Sequence, residues 1–195
     1  MKILILFISI LAALSYQKSS FGIDISFNGN YSTSYTSTYK YTRTSYGLEI
    51  GLPLNRFMQL ELGESYTSDL YEYNDAYKTY LTSQGATSLP AGKLTQQIDS
   101  TDTYTNLSVG LFNYYFSPSI YGGIMNRKQK TKDIYGQESN DEVPMTWDAG
   151  AALSIRITRY FHLKITYRIS PSGVNSPYGN PYYDQSYWGG ITLSF

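Results

Sequence analysis

The chain contains no cysteine, which excludes disulfides, thiol catalysis, cysteine-based zinc sites and a lipidated N-terminal cysteine. Its single histidine is His162, so only scattered carboxylates remain as metal ligands and no metal or cofactor is implied. Past residue 16, no apolar run approaches the roughly 20 residues that a spanning helix needs. Lys+Arg and Asp+Glu are equal at 15 each, so no net charge draws the chain to nucleic acid. At 195 residues there is room for one domain and hardly two. What abounds is tyrosine, with 22 Tyr against 8 Phe and 2 Trp.

Residues 1–15, MKILILFISILAALS, place one early lysine, Lys2, before an uncharged stretch from Ile3 to Leu14. Ala13 and Ser15 fit the small-residue positions of a signal-peptidase site. This reads as a secretory signal, too short at its core for a membrane anchor. Residues 16–195 then form a single domain outside the cytoplasm.

Beyond the signal the dominant period is two. Ile23, Ile25, Phe27, Tyr31 and Tyr35 share one parity, and Asp24, Ser26, Asn28 and Asn30 the other. The same alternation recurs through YGLEIGL (Tyr46–Leu52), MQLELGES (Met58–Ser65), Thr103–Leu111, WDAGAALSIRI (Trp147–Ile157), HLKITYRI (His162–Ile169) and the last residues Tyr183–Phe195. It marks strands with one apolar and one polar face. Ile120–Thr131 adds a further strand whose glycines blur its faces. The pattern predicts about eight strands, most near ten residues long.

The connections alternate in length. Pro53–Arg56, Asn113–Ser119 (with a turn at Ser117–Ser119) and Thr158–Phe161 are tight; Asp69–Asp102, Lys132–Val143 and Pro171–Tyr182 are long and polar. Short turns at one end and long loops at the other suit an outer-membrane barrel, as do strands of roughly 9–11 residues. A soluble sandwich also alternates but needs no such asymmetry. The terminal ITLSF, with Tyr187, Ile191, Leu193 and Phe195 on one face, resembles the C-terminal signal read by the outer-membrane assembly machinery.

Together these features resemble the eight-stranded outer-membrane barrels: OmpX, the transmembrane part of OmpA, the Opa adhesins and OmpW. The likeness is one of architecture over residues 21–195. It implies an all-β, up-and-down antiparallel transmembrane barrel with short periplasmic turns and long extracellular loops. It also implies a monomer whose partners are outer-membrane lipid, lipopolysaccharide and the assembly machinery. Parity places Asp24, Glu49, Glu61, Asp148, Arg156, Lys164 and Arg168 in the lumen. Charges of mixed sign in so narrow an interior should pair, because an unpaired buried charge is costly. An eight-stranded interior is just wide enough for side chains, so a diffusion pore is not expected.

Some barrels of this shape modify lipids. The lipid A deacylase family uses a His-x-Ser pair and a Glu near the outer leaflet; here the context is HLK, with Lys164 where that serine would be. His162 also adjoins a tight turn, on the periplasmic side. Palmitoyl-transferring barrels likewise use an outer-surface histidine. An enzyme is therefore not expected.

NRKQKTK (Asn126–Lys132) stacks Arg127, Lys128, Lys130 and Lys132 at the upper end of a strand. These cations would meet lipopolysaccharide phosphates there in salt-sensitive contacts, or form a solvated loop stem. Tyr31, Tyr35, Tyr46 and Trp147 are assigned to an outer aromatic girdle, and Tyr114, Tyr115, Phe116, Tyr160, Phe161 and Phe195 to the tight-turn end. Pairing Tyr35 with Lys40 explains how apolar parity switches from odd before YSTSYTSTYKYTRTSY to even after it. The expected role is a non-catalytic envelope protein with surface loops available for interaction. Alternatives are adhesion through the Tyr-rich loop Asp69–Asp102, or a narrow channel for ions or small apolar solutes.

Overall fold

A computed structural model describes residues 22–55, 57–86, 88–111, 115–175 and 181–195. Eight antiparallel strands pair in sequence order, and the last returns to the first to close a barrel. They are β1 (Asp24–Tyr35), β2 (Tyr39–Pro53), β3 (Met58–Tyr73), β4 (Leu94–Gly110), β5 (Phe116–Lys132), β6 (Glu138–Arg156), β7 (Phe161–Asn175) and β8 (Pro181–Ser194). One helix, α1 (Asp75–Ser83), stands between β3 and β4. The all-β, up-and-down barrel expected from the alternation is thus the fold. The expected signal peptide, residues 1–15, lies outside the described residues.

Register follows from the two faces. Ile25 opposes Ile50 and Phe27 opposes Leu48 on the outside, while Ser26 opposes Glu49 within. A slip of one residue would exchange the faces of a whole strand, so the pattern pins the pairing. Closure runs from Asp24↔Ser194 to Gly29↔Gly189. Ile23 and Phe195 then exchange both backbone hydrogen bonds, at 3.2 and 3.0 Å.

Burial inverts the order of a water-soluble domain. Leu48, Leu62, Leu107, Ile120, Ile165 and Ile191 are exposed on the exterior. Ser26, Glu49, Glu61, Asn106, Asp148 and Lys164 are buried. Two inward glycines make space for rings that cross the lumen. A Cβ at Gly63 would strike the ring of Tyr104, and one at Gly150 the hydroxyl of Tyr121.

The strands are longer than expected, from 12 residues in β1 to 19 in β6. The excess lies at the end where long loops were expected. Asp69–Asp102 is ladder at both ends: Tyr73 still opposes Leu94, leaving Asn74–Lys93, which contains α1, as the connection. The stretch expected as Lys132–Val143 shrinks to residues 133–137, where Gly136 takes a φ of 80° and Asp133 Oδ1 accepts from the backbone N–H of Tyr135 and Gln137. Pro171–Tyr182 is likewise shortened by β7 and β8. Tyr35 does pair with Lys40.

Ser117–Ser119 is not a turn. It belongs to β5, with Pro118 opposite Leu153. A proline near a strand's first residues removes a donor where the ladder is least dependent on it, and its carbonyl still accepts from Leu111 N at 2.9 Å.

Candidate functional site

The lumen is filled by charge. Nearest the short-turn end, Lys164 bonds Glu49 and also meets Glu61 at 3.4 Å. Above them Arg168 Nε donates to Asp148 Oδ1 at 2.9 Å, its guanidinium lying 4.7 Å from the centroid of the Tyr104 ring. Asn106 Nδ2 donates to the other Asp148 oxygen at 3.0 Å. Arg168 also reaches Asp102 at 3.7 Å.

Asp102 is held more tightly from β5. Arg127 grips both of its oxygens, at 2.7 and 2.9 Å. Arg127 then meets Asp184 of β8 at 3.5 Å, Arg43 Nη1 donates to Asp184 at 2.7 Å, and Arg43 closes on Asp69 at 2.8 and 2.9 Å. The Tyr41 hydroxyl donates to Asp69 at 2.7 Å. The result is an unbroken file of alternating sign, Asp148–Arg168–Asp102–Arg127–Asp184–Arg43–Asp69, along the barrel axis.

Asp148 is 1% exposed and Arg127 6%. Charges so withdrawn from water are tolerable only when paired and hydrogen-bonded, and here each meets at least one opposite charge. A cavity of about 30 Å³ remains among Asn28, Tyr104, Asn106, Asp148 and Arg168, far too small for a diffusing solute. Below the Lys164 cluster the lumen widens into a vestibule of about 800 Å³ open at the short-turn end.

Of the lumen charges expected from parity, Glu49, Glu61, Lys164, Asp148 and Arg168 fall inside this plug. Asp24 sits at the vestibule, where it accepts from Gln59 Nε2 at 2.7 Å. Arg156 lines the vestibule but is exposed, so it stands at the mouth and not within the buried file. Arg43, Asp69, Asp102 and Asp184 were missed. Each has the inward parity of its strand: extending the alternation a few residues upward would have found Arg43, Asp69 and Asp102, and Asp184 already lay within Tyr183–Phe195.

Arg127 requires a correction. It was grouped with the outward cations, yet it points into the barrel and is bound to Asp102. Its odd number gives it the inward parity of Tyr121 and Met125. Lys128, Lys130 and Lys132 are exposed. In register they oppose Glu142, Asn140 and Glu138 of β6, and Lys130 meets Glu138 at 2.7 Å. His162 opposes Arg156 on the inner face, and among the described residues no group of three His, Asp or Glu is placed to hold a metal.

The extension of β2 and β3 carries a tyrosine cluster. Ring centroids of Tyr41 and Tyr71 lie 4.9 Å apart, Tyr71 and Tyr39 5.6 Å, Tyr39 and Tyr73 5.8 Å, and Tyr73 stacks on Tyr77 of α1 at 4.3 Å. Asn74 caps α1 by accepting from Tyr77 N, and its own amide donates to the carbonyl of Ser37 at 2.7 Å. Lys93 and Lys40 hydrogen-bond Glu72 from two sides and hold its carboxyl below the usual range.

Exterior aromatics gather at two heights. Tyr31, Tyr35, Tyr46, Trp147 and Tyr187 are exposed, with Tyr46 5.2 Å from Tyr66, Trp147 5.8 Å from Tyr183, and Tyr187 5.1 Å from Tyr167. At the short-turn end Tyr115, Phe116, Tyr160 and Phe195 are exposed and Phe161 is half-buried. Tyr114 lies outside the described residues.

No family model matches this chain, and no curated protein resembles it in sequence. Solved structures do. The N-terminal β-barrel domain of Pseudomonas aeruginosa OprF superimposes with a TM-score of 0.53 at 16% identity, over 89% of this chain and 97% of that one. Ail, the attachment invasion locus protein of Yersinia pestis, in complex with the heparin analogue sucrose octasulfate, gives 0.55 at 14% identity, over 91% and 100%. Neisserial surface protein A gives 0.55 at 12% identity, over 91% and 98%. The fold is that of the eight-stranded outer-membrane barrels.

Proposed function

We propose that this chain is an integral bacterial outer-membrane protein, secreted through cleavage of residues 1–15, that performs no catalysis and presents its strand extensions to the cell's surroundings. The carrying observation is the inverted burial: an apolar exterior around a buried file of ion pairs. In water that arrangement would leave an apolar belt exposed on every side. In a bilayer the belt faces acyl chains and each backbone group is satisfied by the closed ladder.

Tyr31, Tyr35, Tyr46 and Trp147 then form the outer aromatic girdle, and Tyr115, Phe116, Tyr160 and Phe161 the inner one. Tyr187, Ile191, Leu193 and Phe195 form the strand that the assembly machinery reads. Lys128, Lys130 and Lys132 stand beyond the apolar band, where lipopolysaccharide phosphates would compete with Glu138 and Glu142 for them. Gel mobility tests the architecture: the folded protein should migrate anomalously in detergent until boiled. No shift, with solubility in detergent-free buffer, would sink it.

The half-exposed tyrosine cluster favours a second reading, adhesion through the β2–β3–α1 extension. Amphipathic rings held by stacking lose little entropy on contact. Cells displaying the barrel with residues 74–93 intact or replaced by a two-residue Asn-Gly turn should then differ in binding to a target surface, while the ladder below is left whole. The narrow-channel reading finds less support, since the plug leaves only about 30 Å³ at its level. Single-channel recording in planar bilayers should show no steady conductance.

A further inference from the structure

Between its two aromatic rows the outward face of the barrel is apolar on most strands. β1 and β2 carry Phe27, Leu48 and Ile50 there, and β7 and β8 carry Ile165, Ile191 and Leu193. The adjacent pair β3 and β4 breaks that belt. Glu64 is exposed on the outside of β3, between the outward residues Leu62 and Tyr66. Directly across the ladder stands Thr103 of β4, also exposed, with Thr101 and Thr105 at the outward positions on either side.

Glu64 and Thr103 make no side-chain hydrogen bond or ion pair among the described residues. A carboxylate that faces acyl chains is costly, and ionisable groups at membrane depth usually turn toward a polar partner. Glu64 has none in the lumen, because its parity is outward. It also stands two residues below Tyr66, about 6–7 Å along the strand and deeper than the rings that mark the headgroup level. A donor at that depth has to come from another transmembrane protein.

A second copy inserted in the same orientation carries Thr103 at that depth. The face is complementary to itself, because its acceptor and its donor are cross-strand neighbours about 5 Å apart. A two-fold axis parallel to the barrel axis, passing between them, sets each Glu64 beside the Thr103 hydroxyl of the other copy. Two reciprocal bonds then form, as an isologous contact requires. The small threonines of β4 let two such surfaces approach closely within a bilayer.

We infer that the outward β3–β4 face pairs with the same face of a second copy in the membrane, each Glu64 accepting from Thr103 of the other. This departs from the monomer that the resemblance implies, and it rests on the reading of the chain as a bilayer-spanning barrel.

The absence of cysteine makes the contact readable by cross-linking with a short bismaleimide in isolated outer membranes. Single-cysteine chains carry Leu62→Cys or Thr105→Cys beside the proposed axis, or Ile165→Cys on β7. At least one of the first two should link to its own copy about tenfold more than Ile165→Cys, because the contact raises the local concentration of its thiols. Adding Thr103→Val to that chain should lower the yield about tenfold, since hydrogen bonds to a charged group are the stronger kind. Thr103→Ser should restore it.

Gel mobility before and after boiling is read on the same samples. A folded barrel whose β3–β4 cysteines link no better than Ile165→Cys overturns the inference and leaves the barrel standing; a lipid or an unrelated protein on this face gives that result. Undiminished linking in Thr103→Val also overturns it. Absence of any mobility shift in the wild type overturns the barrel and the inference together. The comparison among single-cysteine chains keeps Glu64 and Thr103, so it holds even if Thr103→Val fails to fold.

Discussion

Asp102 is the most informative residue to change, because it is shared by two buried arginines on different strands. Asp102→Asn keeps the shape and removes the charge. Arg127 loses a two-point grip at 2.7 and 2.9 Å, and Arg168 loses a contact at 3.7 Å. Breaking a buried pair from one side costs about 3–5 kcal/mol. Each arginine retains a second carboxylate, Asp184 for Arg127 and Asp148 for Arg168, so the loss should fall at the low end. About 3 kcal/mol corresponds to roughly a hundredfold shift in the unfolding equilibrium. Urea titration in lipid vesicles reads it, with Trp188 inside the barrel and Trp147 outside as fluorescent reporters. The double variant Asp102→Leu, Arg127→Met should recover to within about 1 kcal/mol of the wild type, since an apolar pair has no desolvation to offset. A loss below about 1 kcal/mol for Asp102→Asn would mean that water already screens the file. A double variant as weak as the summed singles would refute the pairing argument itself.

Three further outcomes are expected. Ile165→Arg, on the exterior of β7, should destabilise the vesicle-inserted barrel by about 2–4 kcal/mol if it faces the bilayer midplane, and Tyr183→Arg, nearer the outer aromatics, by much less; equal effects would contradict the assigned band. Gly63→Val forces a side chain into the Tyr104 ring and should cost about 1–3 kcal/mol, with Tyr104→Ala relieving part of that loss in the same urea assay. Asn74→Ala removes the cap of α1 and the bond to Ser37, at about 0.5–2 kcal/mol; hydrogen exchange should rise in residues 74–86 while amides of the barrel ladder stay protected.

The closed barrel was legible because period two persists through every strand and because inside and outside differ so sharply in chemistry. The plug was half legible for a related reason. Parity identified Glu49, Glu61, Asp148, Lys164 and Arg168, but strands were stopped at the length of a membrane crossing. Nothing in the alternation ends there: Arg43 continues the line of Glu49, Gly47 and Ser45, and Asp69 that of Glu61, Gly63 and Ser65. Stopping early turned ladder into loop and left Arg43, Asp69 and Asp102 unassigned, whereas Asp184 lay within Tyr183–Phe195 and was passed over although it has that strand's inward parity. Arg127 was misplaced because it was grouped by its charged neighbours in sequence, whereas in a strand neighbours face opposite ways. Helix α1 was missed although Asn74 and Asp75 form a start signal, because the tyrosines and threonines around them favour strands.

The file of ion pairs also does something that pairing of charges alone does not require. The ladder between β6 and β7 ends at Ala149↔Ile169, and that between β8 and β1 ends at Gly29↔Gly189. Above those points, among the described residues, the β7–β8 hairpin has no backbone pairing to the rest of the barrel. Asp184 lies on that hairpin and bonds Arg43 of β2 and Arg127 of β5. Its carboxylate therefore ties the separate hairpin to two strands on the far sides of the mouth, through charge-assisted contacts that are only partly screened. The outer end of the lumen is closed by side chains where the sheet itself has come apart: among the described residues Asp184 ties the β7–β8 hairpin from within, and the contact of Tyr183 with Trp147 of β6 holds it from outside.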